Sequence, residues 1–232
     1  MNLEYIIDHF MSLTALSLET GVETAEIESF IADGLLPDAS YRVSLTGEVH
    51  SFLGEAKDDG IAMRFFSKSH VGRIRHLKSE LRTTSIEDLK KSLRGKFDQA
   101  YRARLDPAIL TCEGFTVFKD QAGASDEGRL QAYLDEEWQH YLKGTYGLCT
   151  KTAAFDEIAI KEVSSRIIAH YLEHYGAGLN DQLSAKDRQY LLSVVDDFDK
   201  VCSKFAPFER AHCSRTRYIH TVREALNGKP AS

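Results

Sequence analysis

Positive charge is absent from the N-terminal part of the sequence. The first 41 residues contain no lysine or arginine, whereas the whole chain of 232 residues contains 29. A DNA-binding surface needs cations against the phosphate backbone, and a chain of formal net charge −6 has no general basic coat. The segment instead carries carboxylates throughout, namely Glu4, Asp8, Glu19, Glu23, Glu26, Glu28, Asp33 and Asp38. The sequence therefore argues against DNA binding through this segment.

Features that identify several common protein classes are also missing. The four cysteines show no CxxC spacing, which argues against zinc ribbons and thioredoxin-like sites. No apolar run reaches the roughly 20 residues of a membrane-spanning helix, and the first ten residues suit an amphipathic helix better than a signal peptide. Glycine-rich nucleotide loops, GxSxG and HExxH are absent. We therefore expect a cytoplasmic protein with reduced thiols, no membrane segment and no cofactor.

The N-terminal pattern predicts a helix-turn-helix with a small β wing. Ser12 is placed to cap a helix that Gly21 ends, and a following helix begins at Glu23 or Thr24 and stops at Gly34. Two short extended pieces at 41–45 and 61–66 flank an acidic turn at 57–60. These elements predict a winged helix-turn-helix-like head over residues 1–82.

Two segments carry a resemblance to a known class of regulators. The stretches LTALSLETGVETAEIESFIADGLLP and MRFFSKSHVGRIRHL resemble the winged helix-turn-helix of mercury-resistance regulators. The resemblance implies that basic side chains on the second helix and the wing contact DNA. The corresponding stretch here, Glu23 to Asp33, offers only carboxylates, so DNA binding through it is disfavoured.

The remaining residues, 83–232, predict a multi-helix body, so the expected fold class is mainly α. A helix is predicted from Ser85 to Leu105, closed by Asp106-Pro107, and a short β piece at 115–118. Further helices are predicted at 129–143, 155–175, 184–205 and 207–226.

The stretch from residue 64 to residue 104 is rich in lysine and arginine. One interpretation is a solvated face, or the electrostatic counterpart of the acidic head. The alternative is a nucleic-acid or acidic-partner surface on the helices of residues 67–104, which would make the protein a regulator or scaffold. The sequence leaves both open.

The last predicted helix places a cation on an apolar face. Phe208, Ile219, Val222 and Leu226 define a buried stripe, and Arg215 falls close to its middle. A buried arginine must meet a carboxylate, backbone carbonyls or a bound anion. An internal ion pair and an anion-binding pocket both satisfy that requirement.

The loop KGTYGLCTK, residues 143–151, is the second candidate. Gly144 and Gly147 suit a turn or a close backbone approach, and Cys149 and Lys151 follow as potential nucleophiles. A structural turn with a buried thiol is the alternative.

Metal ligation has weak support. The Glu-x-x-His spacing of di-metal bundles occurs twice, at Glu137–His140 and at Glu209–His212. The further glutamates that would bridge the two metal ions are not evident. We therefore predict no metal site and keep a di-metal oxygenase-like bundle as a weaker alternative.

The later motifs resemble a bacterial family of unknown function that is filed under natural-product biosynthesis. The resemblance rests on Trp138, GTYGLCTK, Lys161-Glu162 and FAPFERAHCSRTR. It implies no specific mechanism, but it raises the weight of residues within the two longer motifs, namely Tyr146, Cys149, Lys151, Glu209, Arg210, Ser214 and Arg215.

Together these observations predict a protein that binds an anionic small molecule between residues 144–151 and the last helix, as an accessory protein or an enzyme. Arg215 and Arg210 would bind the anion, and Glu209 would orient an arginine. The residues around the ligand would be Tyr146, His212, Ser214 and Tyr218. The reactive group, if the protein is an enzyme, would be Cys149 or Lys151.

Overall fold

Local capping signals set the first helices of the chain. In the computed structural model, which describes residues 2–226, α1 spans Asn2–His9 and β1 spans Phe10–Ser12. Ser12 accepts a hydrogen bond from the Ala15 amide at the start of α2, Leu13–Thr20. Gly21 ends α2 with a φ of 65°, which suits glycine. The cap residues predicted for α2 are therefore confirmed, and α3 follows at Thr24–Ala32.

The strands of this region form a sheet. β2 spans Tyr41–Ser51, β3 spans Gly54–Ser67, and the antiparallel order is β1-β3-β2. A register shift between Leu45 and Gly47 divides the long hairpin, so the sheet curls into a half-barrel of five strand segments. The predicted fold class, a winged helix-turn-helix head with a small β wing, is therefore wrong.

Two misreadings of the sequence explain this error. Residues 57–60 were expected to form a turn, but they lie within β3, and the hairpin turns between Ser51 and Gly54 instead. Residue Phe10 was assigned to a helix, but it pairs with Ser67 as part of an edge strand. One apolar cluster buries residues of the sheet together with α1, namely Ile6, Phe10, Tyr41 and Phe65.

The chain divides into two units. The first runs to Lys90 and includes α4, His70–Glu80, together with the segment Tyr141–Leu148. The second, called the helical unit, consists of Lys91–His140 and the chain from Cys149 onward. The sequence predicted a division after residue 82 instead.

The segment Tyr141–Leu148 joins the first unit through its backbone. The Asp38 amide donates to the Leu142 carbonyl at 2.8 Å, and Ser40 Oγ donates to the Gly144 carbonyl at 3.0 Å. Gly144 has a φ of 78°, and a Cβ there would lie 2.2 Å from the Asp38 carbonyl oxygen. Only glycine fits this approach.

Long helices make up most of the helical unit. α5 spans Ile86–Thr111 and α6 spans Glu127–Leu142, with a 3₁₀ turn at Glu113–Phe118 between them. The short helix α7, Thr145–Cys149, belongs almost entirely to the first unit, and α8 follows in the helical unit at Phe155–Tyr175. The last helices are α9 at Leu179–Gln182, α10 at Ala185–Val201 and α11 at Thr221–Leu226, the last preceded by a π-helical turn at Arg215–His220.

Several predicted boundaries in this unit are wrong. α5 does not stop at Asp106 but continues through Pro107, and residues 115–118 form a 3₁₀ turn instead of a strand. α10 ends at Val201 because Cys202 forms a β-bridge with Thr150. The predicted helix of residues 207–226 begins only at Arg215. In contrast, α8 has the predicted bounds.

Within residues 2–226, no helix is long and apolar enough to cross a membrane.

Candidate ligand-binding cleft in the helical unit

A polar face of α8 lines a cleft of about 370 Å³. The lining residues of α8 recur at intervals of three and four, so they share one side of the helix. They are Glu162, Ser165, Arg166, Ala169, His170 and Glu173. Gly114, Tyr133, Glu137 and Tyr218 complete the lining. Away from this side, α8 buries Val163, Ile167 and Ile168.

Aromatic rings support the guanidinium of Arg166. Its Cζ lies 5.0 Å from the ring centroid of Phe118, 5.5 Å from that of Tyr133 and 5.7 Å from that of Phe115. The 3₁₀ turn at Glu113–Phe118 supplies two of these rings, because three residues per turn place Phe115 and Phe118 on the same side. Across the described chain, no carboxylate lies within ion-pair distance of Arg166. A contact between a cation and a ring face needs no conventional hydrogen bond, so it leaves the N–H donors of the guanidinium for an oxygen ligand.

Glu137 is a buried acid in the same cleft. It lies on the inner stripe of α6 with Leu134 and Tyr141, and only 8% of the residue is exposed. Tyr101 Oη donates a hydrogen bond to Glu137 Oε2 at 2.9 Å. Burial raises the pKa of Glu137 to about 7, the charge of Glu162 adds to this rise, and the Tyr101 hydrogen bond opposes it. The acid and carboxylate forms of Glu137 therefore coexist near neutral pH.

The tyrosines around Glu137 are neutral donors. Burial raises the pKa of Tyr101 far above its ordinary value, and the charge of Glu137 adds to the rise. Burial likewise raises the pKa of Tyr133. Neither phenol ionises at physiological pH, so both remain able to donate a proton in a hydrogen bond.

A second carboxylate is held close to Glu137 by a buried lysine. Lys161 Nζ lies 2.5 Å from Glu162 Oε1, and the lysine is almost fully buried. Burial opposes the charge of Lys161, but the charge of Glu162 and its hydrogen bond with the ammonium act against burial, and the pKa of Lys161 is raised. Lys161 therefore keeps its positive charge in this ion pair. The negative charge of Glu162 contributes to the high pKa of Glu137.

A glycine sets the width of the cleft at its other wall. A Cβ on Gly114 would lie 2.8 Å from His170 Cβ and 3.0 Å from its Cγ. The backbone of residue 114 can approach His170 only because glycine has no side chain.

The structure places the predicted anion-binding residue Arg215 in an ion pair. Its Nη1 lies 2.5 Å from Asp199 Oδ1, and its Nη2 donates to the Cys202 carbonyl at 3.0 Å. Arg223 Nη1 also contacts Asp199, at 2.7 Å. Burial opposes the charge of Asp199, but the hydrogen bonds from Arg223 and Arg215 outweigh it and lower its pKa. The ligand-binding role of Arg215 stays a prediction.

The other predicted residues of the last segment are spread around this ion pair. Tyr218 lines the cleft, and Ser214 Oγ lies 3.9 Å from Cys202 Sγ. Glu209 accepts a hydrogen bond from the Ala206 amide at 3.1 Å, which shapes a turn. His212 and Arg210 are exposed.

The predicted reactive loop is paired with the end of α10. The Lys151 amide donates to the Val201 carbonyl at 3.0 Å, and the Ser203 amide donates to the Cys149 carbonyl at 3.1 Å. Burial raises the pKa of the Cys149 thiol to about 11, which keeps it protonated at neutral pH. Lys151 is exposed, and Tyr146 is buried in the first unit. Catalytic roles for Cys149 and Lys151 therefore stay predictions without geometric support.

Several cations of the basic stretch pair with acids of their own unit. In the first unit, Arg75 pairs with Glu19 at 3.1 Å and Lys78 pairs with Glu26 at 3.2 Å. In the helical unit, Arg94 contacts Asp98 and Asp135, and Arg102 contacts Glu127, each at 2.7 Å. These pairs fit the interpretation of an internal electrostatic counterpart, and the alternative of a nucleic-acid or acidic-partner surface stays a prediction.

Within residues 2–226, no group of three or more His, Cys, Asp or Glu side chains is arranged to hold a metal ion. Glu137 of the first Glu-x-x-His spacing instead accepts the Tyr101 hydrogen bond.

The sequence patterns did not single out Glu137, Lys161 and Arg166 as neighbours of one cleft. Glu137 and Lys161 could have been found by the argument applied to Arg215, because both interrupt apolar helical stripes. Arg166 had no such signal, since its supporting rings come from Phe115, Phe118 and Tyr133, which are distant in sequence.

The comparisons with known proteins place these residues in one family. A family of unknown function, DUF6058, matches residues 63–227, which include every residue of the cleft. No curated protein and no solved structure gives a match. These findings do not show the likeness to mercury-resistance regulators, nor a link to natural-product biosynthesis. With the larger part of its length matched, the chain belongs to DUF6058, a family of unknown function.

Proposed function

We propose that the helical unit binds a small anion in the cleft of α8, with the Arg166 guanidinium as the principal anchor. The observation that carries this proposal is the combination of aromatic support and the lack of an ion-pair partner for Arg166 within residues 2–226. A guanidinium offers five N–H donors in a planar fork that matches carboxylate, sulfate and phosphate oxygens.

The surroundings of Arg166 favour a ligand of small size. A cleft of about 370 Å³ is at the lower end of the range of small-molecule sites. Phe115, Phe118 and Tyr133 hold the guanidinium in place before a ligand arrives, which lowers the entropy cost of binding.

The proposal retains the anionic ligand expected from the sequence but moves its anchor. Arg215 already contacts Asp199 and the Cys202 carbonyl, so a ligand there would have to displace them. Arg166 needs no such displacement.

Binding calorimetry with sulfate and acetate tests the proposal. We expect the wild-type protein to bind at least one of the two probes, and Arg166→Met to weaken that binding by about tenfold or more, because a bidentate charged contact is lost. Arg215→Met is the matched control, since it removes an arginine from the same unit, and it should leave the dissociation constant within about twofold.

Two outcomes would contradict the proposal. One is the absence of binding of both probes to the wild-type protein at pH values from 6 to 8.5. The other is equal binding by the wild type and Arg166→Met. Loss of binding in Arg215→Met alone would instead support the original sequence prediction.

A further inference from the structure

Glu137 is surrounded by groups that fix both its position and its charge. Tyr101 of α5 donates to it, and Tyr133 lies on its own helix and on the cleft wall. From α8, the Lys161-Glu162 ion pair and Arg166 act on the same region. His170, Glu173 and Tyr218 also face the cleft.

The charges of the cleft create a conflict for an anionic guest. Glu137, Glu162 and Glu173 all line the cleft that contains Arg166. Lys161 offsets Glu162, but an ionised Glu137 would repel an anion placed on Arg166 in the same cleft. Protonation of Glu137 removes this repulsion and converts the group from an acceptor into an O–H donor.

On the basis of the function proposed above, we propose that Glu137 is a neutral carboxylic acid when the ligand is bound. In this form its O–H group donates a hydrogen bond to the ligand. The ligand is therefore an anion with at least three oxygen atoms or equivalent acceptors. Two of them accept hydrogen bonds from the Arg166 guanidinium, and another accepts a hydrogen bond from Glu137. Tyr101 is a positioning residue, because its hydroxyl holds Glu137 Oε2.

The proton balance of this step is simple. When the carboxylate form of the protein binds the anion, one proton from the buffer joins a Glu137 oxygen, and no bond of the ligand breaks. The proton returns to the buffer when the ligand leaves. No oxidant, reductant or second substrate is required.

The pKa of Glu137, about 7, places this exchange in the range of ordinary buffers. Linkage then requires that the affinity for the anion falls as pH rises through this value, by about tenfold per pH unit when one proton is taken up. Below pH 6 the acid form already predominates, and affinity should no longer depend on this group.

Calorimetry with sulfate, which has no titratable proton in this range, tests the inference. Titrations at pH 8 in two buffers of different ionisation enthalpy should show uptake of about one proton per sulfate bound, as expected for a single linked group. In Glu137→Gln, whose amide is permanently neutral and still donates, we expect no proton uptake. The dissociation constant of this variant should stay constant from pH 6.5 to 8.5.

Glu173→Gln is the matched control, because it removes another carboxylate of the same cleft. This variant should keep the proton uptake of the wild type. Retained uptake in Glu137→Gln would overturn the inference, because another group would then take up the proton.

The results also separate this inference from the proposed function. Sulfate binding that does not change between pH 6.5 and 8.5 would refute the role of Glu137 and leave the anion site at Arg166 standing. Absence of binding at every pH, by the wild type and by Glu137→Gln, would refute the anion site itself.

Discussion

Two regions of the helical unit each contain a carboxylate and at least one arginine, but they shift the pKa of the carboxylate in opposite directions. Around Asp199, two arginines contact one carboxylate, at 2.5 Å for Arg215 and 2.7 Å for Arg223. In the α8 cleft, Glu137 is held by a tyrosine hydroxyl, and Arg166 rests on aromatic rings.

The difference shows how the surroundings of an arginine indicate its role. Asp199 keeps its charge because both guanidinium groups act on it, and its pKa is lowered despite partial burial. Glu137 is more deeply buried, and burial together with the negative charge of Glu162 outweighs the hydrogen bond from Tyr101, so its pKa rises. The Asp199 region joins the last helix to the end of α10 through charged contacts. In the function proposed above, the cleft keeps a cationic fork and a proton-exchanging acid for an external molecule.

The largest expected effect concerns the pH dependence of stability. The folded pKa of Glu137, about 7, lies above its unfolded value of 4.5, so its stabilising contribution is complete below pH 4.5 and is lost as pH rises through 7. The loss amounts to about 3 kcal/mol, from 1.36 kcal/mol per pKa unit. Chemical denaturation from pH 4.5 to 8 should show this loss in the wild type relative to Glu137→Gln.

The Asp199 region sharpens this test, because its pH dependence has the opposite sign. A lowered carboxyl pKa contributes stability above the unfolded value of 3.8 that is lost in acid. Parallel pH profiles for the wild type and Glu137→Gln above pH 4.5 would show that burial does not raise the Glu137 pKa.

A smaller effect distinguishes the two arginines by unfolding free energy. Arg215→Met removes a charged contact to Asp199 and a donor to the Cys202 carbonyl, at a cost of about 2 kcal/mol. The cost stays below that of an isolated buried charge because Arg223 still contacts Asp199. Arg166→Met breaks no ion pair, and methionine keeps part of the packing against the rings, so we expect a change within about 1 kcal/mol.

Urea denaturation at a single pH compares the three proteins directly. Equal destabilisation of the two variants would break the distinction between a structural and a ligand-binding arginine.

The parts of the fold predicted correctly from the sequence depend on local interactions. Ser12 and Gly21 act on residues within a turn of themselves, and α8 is bounded by residues that were recognised at both ends. The sheet was missed because its pairing joins Phe10 to Ser67, and no local pattern records a contact across so many residues. The glycine at residue 60 resembled a turn signal, but it lies within β3.

In the candidate site, too, local patterns could be predicted from the sequence, but contacts between residues distant in sequence could not. The sequence showed that Arg215 lies among apolar residues and needs a partner, and Asp199 was too distant in sequence to be identified. The stripe argument would have selected Glu137, but only the structure brings Tyr101 against it and places Arg166 in the same cleft.

The most direct test is a titration of protein labelled with ¹⁵N-arginine, followed by NMR of the guanidinium signals. As sulfate is added at pH 6.5, the assigned signals of Arg166 should shift in a saturable manner, whereas those of Arg215, held by Asp199, should stay unchanged. Saturable shifts of Arg215 with an unchanged Arg166 would contradict the account, because the anion would then bind at the ion pair and not in the α8 cleft.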